Sequence, residues 1–294
     1  MDACRGKNVL VLGGTNNMGI YLVRKLIEDG NYVTIATRGV HKDGFGPEVD
    51  RIIINRKLPE TMRDAFRGKH YDVIFDNTAY CSNYVKHLLN NVRCDRYVQL
   101  SSVTTYPSFG SNMVESGFDP FSHVFEWSDA DPAKYASDKR AAESATFTAY
   151  PEISAVVVRV PYVVKTDRLL FFFEHIDRGL PMRMDDIEKE VSFVCAKDVG
   201  NFLSWISVQN FEGPINFSAG GAIKIKDLIS YVESKVSKKA NLDKSGKMHP
   251  FGFPSHYMST KLASDLGYGI DHVEKWFWKA MDYYENMYRR QTHE

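Results

Sequence analysis

Between a short apolar run and the helix that follows it, the chain places Gly13-Gly14-Thr15-Asn16-Asn17-Met18-Gly19. This turn constrains the fold more than any other stretch. Asn8–Leu12 reads as a buried strand. Met18–Asp29 reads as a helix with Ile20, Val23, Leu26 and Ile27 on one face and Gly30 at its end, and Tyr32–Thr37 reads as a second strand. Strand, glycine turn, helix and strand make one βαβ unit. Glycine suits such a turn for three reasons. The turn needs positive φ, the backbone must come close to a pyrophosphate, and the helix must start against the strand. The helix N-terminus then offers N–H groups and a positive dipole end to phosphate. Gly13, Thr15, Asn16, Asn17, Met18 and Gly19 are therefore expected to line a dinucleotide site.

The alternation continues. Strands are expected over Arg51–Asn55, Asp72–Asp76, Arg96–Leu100 and Ala155–Val160, and helices over Leu58–Phe66, Asn83–Asn91 and Ala133–Ala149. A loop-like stretch separates Pro107 from Pro132. This pattern predicts an α/β fold, a doubly wound parallel (Rossmann) sheet, with a smaller C-terminal substrate-binding lobe. The expected division is residues 1–165 for the dinucleotide-binding domain and 166–294 for the lobe, with 191–208 returning to the first domain. Beyond Val164, helices are expected over Leu169–Arg178, Val199–Val208, Ile225–Val236 and Val273–Tyr288, a strand over Val191–Cys195, and a loop over Lys238–Ser255.

Two further positions bear on chemistry. The second strand ends Ala36-Thr37-Arg38. An NAD-selective site carries an acid about 20 residues after the turn, to hold the ribose 2′-OH. Arg38 stands there instead, with Lys42 nearby, and a cation suits a 2′-phosphate. NADP(H) is thus favoured over NAD(H), and the alternative use of Arg38 is to stack on adenine. Tyr135 and Lys139 are four residues apart at a helix start, which puts both side chains on one face. An ammonium beside a phenol favours phenolate and draws its pKa down from about 10. Such a Tyr exchanges a proton with a substrate oxygen. Ser101 and Ser102 stand at the carboxyl end of the fifth strand, where these folds bind ligand, and either is otherwise a plain turn residue.

The glycine turn, Ser101-Ser102-Val103-Thr104-Thr105-Tyr106 and Tyr135-Ala136-Ser137-Asp138-Lys139 occur in that order. In this the sequence resembles extended or atypical short-chain dehydrogenases/reductases of the NAD-dependent epimerase/dehydratase family. Arg159–Val164, Phe193–Val199 and Ser259–Tyr268 resemble later elements of the same family, so the resemblance covers nearly the whole chain. It implies Ser102, Tyr135 and Lys139 as the catalytic residues. It adds Arg38, Asn77, Thr78, Ala79, Ser101, Tyr135, Lys139, Pro161 and Val163 to the turn as cofactor-binding residues. It also implies an oxidoreductase or epimerase acting on a nucleotide-linked sugar. The sequence departs from the pattern at Asn16, the usual middle glycine, and at Lys165-Thr166, where Gly-Pro is common. The Gly-Gly-Thr form of the turn is similar to an atypical branch that includes sugar-nucleotide enzymes and a chloroplast RNA-binding group. The 4,6-dehydratases carry an Asp-Glu pair where Val103 and Thr104 stand, which places epimerase or ketoreductase ahead of dehydratase. The NADP(H) reading tips the balance slightly to a ketoreductase step. The alternatives are a reductase of a non-nucleotide metabolite and a non-catalytic dinucleotide- or RNA-binding protein of this fold.

Composition narrows the partners. Lys+Arg and Asp+Glu both number 37 in 294 residues, so no global field gathers nucleic acid or an anionic membrane, and neither is expected as a partner. No apolar run approaches the ~18 residues of a membrane span and no secretory signal opens the chain, so a cytoplasmic protein is expected. Cys4, Cys81, Cys94 and Cys195 lack C-x-x-C spacing and the nine histidines are scattered, so free thiols and no metal are expected. A homodimer is left open. The segments Tyr80–Tyr84, around His123, and Arg168–Arg183 are expected to shape the substrate pocket, with no legible code for the sugar.

Overall fold

The computed structural model describes residues 6–164 and 166–293, so Cys4 and Lys165 lie outside the described residues. Contacts divide the chain into two units. The first comprises Met1–Pro107, Glu115–Val160 and Ala196–Phe217, and the second Ser108–Val114, Pro161–Cys195 and Ser218–Glu294.

The first unit is built on strands β1 (Asn8–Leu12), β2 (Tyr32–Thr37), β3 (Val49–Ile53), β4 (Lys69–Asp76), β5 (Val92–Ser102) and β6 (Ser154–Val160). A seventh main-sheet strand, Gly213–Asn216, is β11 after the short strands β7 (Tyr162–Val163), β8 (Met182–Arg183), β9 (Glu190–Val191) and β10 (Phe193–Val194). The sheet runs β11-β6-β5-β4-β1-β2-β3, parallel throughout. The strand order reverses between β1 and β4, and such a switch point opens a crevice at the carboxyl ends of the strands. Val9, Leu10, Val11 and Leu12 are all buried because both sheet faces are covered. Leu10 and Leu12 pack with α2 (Pro59–Phe66), α3 (Ser82–Leu89) and α4 (Tyr135–Ala149). On the other face α1 (Met18–Glu28) packs against α6 (Ala196–Ile206) so closely that a Cβ on Gly200 would stand 2.6 Å from the Leu22 nitrogen.

The buried face of α1 is Gly19, Leu22, Val23 and Leu26. Ile20 and Ile27, expected on that face, are only half-buried. β3 starts two residues before the expected strand, at Val49. β11 escaped the sequence reading because Gly213-Pro214 looks like a break. Its edge position lets it carry a proline, since one side needs no ladder donor.

The second unit gathers α5 (Thr166–Asp177), α7 (Ile225–Val236) and α9 (Glu274–His293) around an aromatic core that includes Phe172, Phe173, Phe193, Phe251 and Phe277. Its strands are two-residue pairs: β7 with β10, β9 with β12 (Ile223–Lys224), and β8 with β13 (Lys247–Met248). A short helix, α8, spans Lys261–Asp265. The expected strand over Val191–Cys195 is thus two short pieces in this unit, β9 and β10. The segment that returns to the first unit is 196–217, not 191–208, and the first boundary falls at Val160 rather than residue 165. No helix among the described residues is long and apolar enough to cross a membrane.

Candidate active site

The glycines of the turn are packed against their own surroundings too closely for a side chain. Gly13 has φ +80°, and a Cβ there would meet Thr78 Cγ2 at 2.7 Å. A Cβ on Gly19 would stand 2.0 Å from the Gly13 carbonyl oxygen, and one on Gly14 would press on Ile35 and Val23 at 3.0 Å. Asn17, the residue before α1, holds φ 49° and ψ −129°. A side-chain residue there stores about 1–3 kcal/mol of strain, which Asn tolerates better than most. Glycine is absent at the middle position, and the turn closes instead with Gly19 N–H donating to the Asn16 carbonyl at 3.0 Å.

The segment after β4 borders this turn. Asn77 N–H donates to the Leu12 carbonyl at 3.1 Å, and Asn77 Nδ2 reaches the Gly13 oxygen at 3.5 Å. Asn77 Oδ1 is buried without a partner. Arg56 and Asp76 hold the segment from below, as a buried ion pair. Asp76 also accepts from the Tyr97 hydroxyl and the Thr78 N–H, each at 2.9 Å. Arg56 also donates to Thr78 Oγ1 at 2.9 Å and to the Tyr84 carbonyl at 2.7 Å. Sequence reasoning missed this pair, since no local pattern links residues 20 apart. Arg38 stands exposed just past β2. A glycine turn closed to any Cβ, together with an orphaned buried amide oxygen, fits a dinucleotide cofactor.

The expected catalytic residues come from β5 and α4. Asp131 caps a short 3₁₀ turn, Pro132–Lys134, and α4 begins at Tyr135. Tyr135 is 39% exposed. Lys139, one turn on, is 2% exposed. Its ammonium donates to the Ala79 carbonyl at 3.0 Å and to the Leu100 carbonyl at 2.8 Å. Desolvation pulls its pKa down to about 8, against the opposing pull of Asp76 and Glu143. Ser102 Oγ accepts from Thr104 N–H at 3.2 Å and caps the turn Val103–Thr105. The adjacent Thr104 Oγ1 is buried without a partner.

Ser101 has a different fate from the one expected. Its hydroxyl donates to Glu143, and Glu143 pairs with Arg159 at 2.7 Å with both side chains fully buried. The donor of the Ser101 hydroxyl is thus committed to Glu143. Pro161 and Val163 belong to the second unit, where Val163 pairs with Val194. A metal-ligand grouping, absent from the sequence reading, occurs at His70, Asp72 and Asp95, whose ligand atoms lie within 4.8 Å of one another. It is near the amino ends of β4 and β5, and its groups are already engaged. His70 Nε2 meets Asp95 at 2.8 Å, and Asp72 accepts from the Asn8 N–H.

The Lys139 burial has a measurable consequence. A lysine whose pKa falls from 10.5 unfolded to about 8 folded carries its full desolvation cost below pH 8. Between about pH 8 and 10.5 the folded protein sheds this proton while the unfolded chain keeps it, so stability rises with pH. The gain is on the order of 3 kcal/mol. In urea titrations of the cofactor-free protein, the stability difference between wild type and Lys139→Met should shift by that amount in favour of wild type across this window. A pH-independent difference would show that the ammonium is not desolvated.

No protein-family profile matches the chain. Solved structures share its fold over nearly its whole length. A crystal structure of UDP-glucose 4-epimerase superposes with a TM-score of 0.69 at 15% identity, covering 97% of this chain and 98% of that one. UDP-N-acetylglucosamine 4-epimerase from Methanobrevibacter ruminantium, in complex with UDP-N-acetylmuramic acid, gives 0.69 at 17% identity, covering 98% and 99%. UDP-glucose 4-epimerase from Thermus thermophilus, in complex with NAD, gives 0.62 at 17% identity, covering 89% and 93%. Likeness at these identities shows the fold, and it is the α/β fold the sequence implied. Among curated proteins, the chloroplast stem-loop binding protein of 41 kDa b from Arabidopsis thaliana is 24% identical over 120 residues, 36% of this chain. The match spans 32% of that relative, about a third of its length.

Proposed function

We propose that this chain is a nicotinamide-dinucleotide-dependent enzyme that acts at a hydroxyl-bearing carbon of a nucleotide-linked sugar. The observation that carries the reading is the Tyr135–Lys139 pair at the start of α4. The ammonium is buried and bound to the Ala79 carbonyl after β4 and the Leu100 carbonyl of β5, and the Tyr135 side chain is partly exposed. Gly13, Gly14 and Gly19 would receive the pyrophosphate, Asn77 Oδ1 would accept from the cofactor, and Arg38 would face the adenosine ribose. When bound, the cofactor supplies an acceptor and donor of hydride. Tyr135 takes the proton of the substrate hydroxyl as the carbon is oxidised and returns it on reduction. Lys139 keeps positive charge beside that phenol, which favours its ionised form. Ser102 donates a hydrogen bond to the same substrate oxygen. The second unit is the substrate-binding lobe on this reading.

The whole-length likeness to UDP-sugar 4-epimerases supports epimerisation as the leading reaction. In that case a bound oxidised dinucleotide would take hydride from the sugar carbon and give it back to the same carbon, so that two isomers would interconvert without net oxidation. Arg38 favours a second reading, a ketoreductase using NADPH, because the guanidinium matches a 2′-phosphate. The two are separated by absorbance at the reduced-nicotinamide band with UDP-sugars and their keto derivatives. Stoichiometric loss of reduced cofactor supports the reductase, and isomer exchange without added cofactor supports the epimerase. For the cofactor itself, NADPH should bind more tightly than NADH by about tenfold or more, and Arg38→Ala should close most of that gap. Equal dissociation constants in the wild type would remove the NADP(H) preference and leave NAD(H). The relative with a stem-loop-binding name supplies a non-enzymatic alternative. A shifted RNA band together with no dinucleotide binding would favour it.

A further inference from the structure

Tyr80 was expected only to shape the substrate pocket, yet it stands against both members of the reacting pair. The Lys139 ammonium lies 5.1 Å from the centroid of the Tyr80 ring. The Tyr80 and Tyr135 rings have centroids 6.4 Å apart and are tilted by 49°. A tight backbone turn sets this position, with Tyr80 N–H donating to the Thr78 carbonyl at 2.8 Å. That same short segment supplies the Ala79 carbonyl that Lys139 binds. Ring and carbonyl therefore act on the ammonium as one rigid element.

The ammonium needs such a partner. It is buried, two of its donors go to uncharged carbonyls, and Asp76 and Glu143 act on it only through space. An aromatic face attracts a cation electrostatically, and more strongly where water is excluded. Tyr80 as a whole is 41% exposed, and the ammonium is the buried partner of the contact. Desolvation of the phenol and the Asp76 charge push its pKa up against the pull of Arg56 and Arg38, so it stays neutral.

We propose that Tyr80 is a positioning residue of this site, whose ring face holds the Lys139 ammonium in its charged form and against whose ring Tyr135 stands. This rests on the reading of Tyr135 and Lys139 as the reacting pair. The other groups that act on Lys139 are Asp76 from β4, Glu143 from α4, Arg56 from the loop after β3 and Cys81 ahead of α3. A substitution at Tyr80 leaves all of them in place.

The test separates the ring from the hydroxyl and does not depend on substrate. In the full-length, cofactor-free protein labelled with ¹³C,¹⁵N-lysine, the Lys139 side-chain resonance, assigned with Lys139→Arg, reports its titration. The wild-type midpoint should fall near the value of about 8. Tyr80→Leu should lower it by about one pH unit, and Tyr80→Phe, which keeps the ring, should restore it. Tyr80→Met replaces the leucine variant if circular dichroism shows the latter to be poorly folded. A midpoint unchanged without the ring, or one that moves as far in Tyr80→Phe as in Tyr80→Leu, overturns the proposal. With UDP-sugars, the alkaline limb of kcat should move down by the same interval in Tyr80→Leu while KM holds. A fall in kcat that is uniform with pH counts against it. If the wild type turns over no nucleotide sugar, the functional reading fails, and the lysine titration still decides the role of Tyr80.

Discussion

Replacing Tyr135 with phenylalanine should lower turnover of the nucleotide sugar by about 10²–10⁴-fold, the usual worth of a general acid–base group. The substitution removes one oxygen and keeps the ring that stands beside Tyr80. Helix α4 starts at Tyr135, behind the short 3₁₀ turn that Asp131 caps, and a phenylalanine is accommodated at that first position. Dinucleotide affinity, followed by fluorescence, should stay within about twofold, because the glycine turn and Asn77 are untouched. Lys139→Met should cost at least as much turnover, since it removes the charge that favours phenolate. Near-wild-type turnover by Tyr135→Phe would move the acid–base role to another residue.

The second large effect is on stability. Glu143→Ala should lower the unfolding free energy by about 3–5 kcal/mol, the cost of stranding one partner of a buried ion pair. Arg159 would then be a fully buried cation without a counter-charge. It also donates to the carbonyls of Glu115 and Phe118, each at 2.9 Å, so the loop they belong to should lose protection from hydrogen exchange. The double variant Glu143→Leu/Arg159→Met should lose less than the two single losses added, because neither charge is then left alone. Urea denaturation measures all of these. A loss under about 1 kcal/mol for Glu143→Ala would mean that water reaches Arg159 in the folded protein.

The first βαβ unit was legible almost to the residue, because its boundaries are chemical events: a glycine with positive φ at Gly13 and another at Gly30. Tyr135 and Lys139 were legible because helical spacing puts them on one face. Other features had no sequence signal. The acceptors of Lys139 are backbone carbonyls, and every residue has one. Period-two alternation in β5 puts Ser101 and Ser102 on opposite faces, but nothing local says which faces Glu143. Sequence spacing gave Val191–Cys195 as one strand, whereas these residues form two short pairings in the second unit. The Arg56–Asp76 pair joins the loop after β3 to the end of β4, and such pairings are decided by tertiary packing.

The chain changes unit after Pro107, Val114, Val160, Cys195 and Phe217. Neither unit is therefore a contiguous stretch of gene. During synthesis, the sheet cannot gain its last strand until Asn216 has left the ribosome, and α1 waits for α6 to cover it. Until then β6 presents an unpaired edge, a surface that holdase chaperones recognise and that pairs with other chains when it is left bare. A truncation after Val160 would make that exposure permanent. Fusions and domain exchanges in this protein have to carry both units together, or rebuild each from its scattered segments.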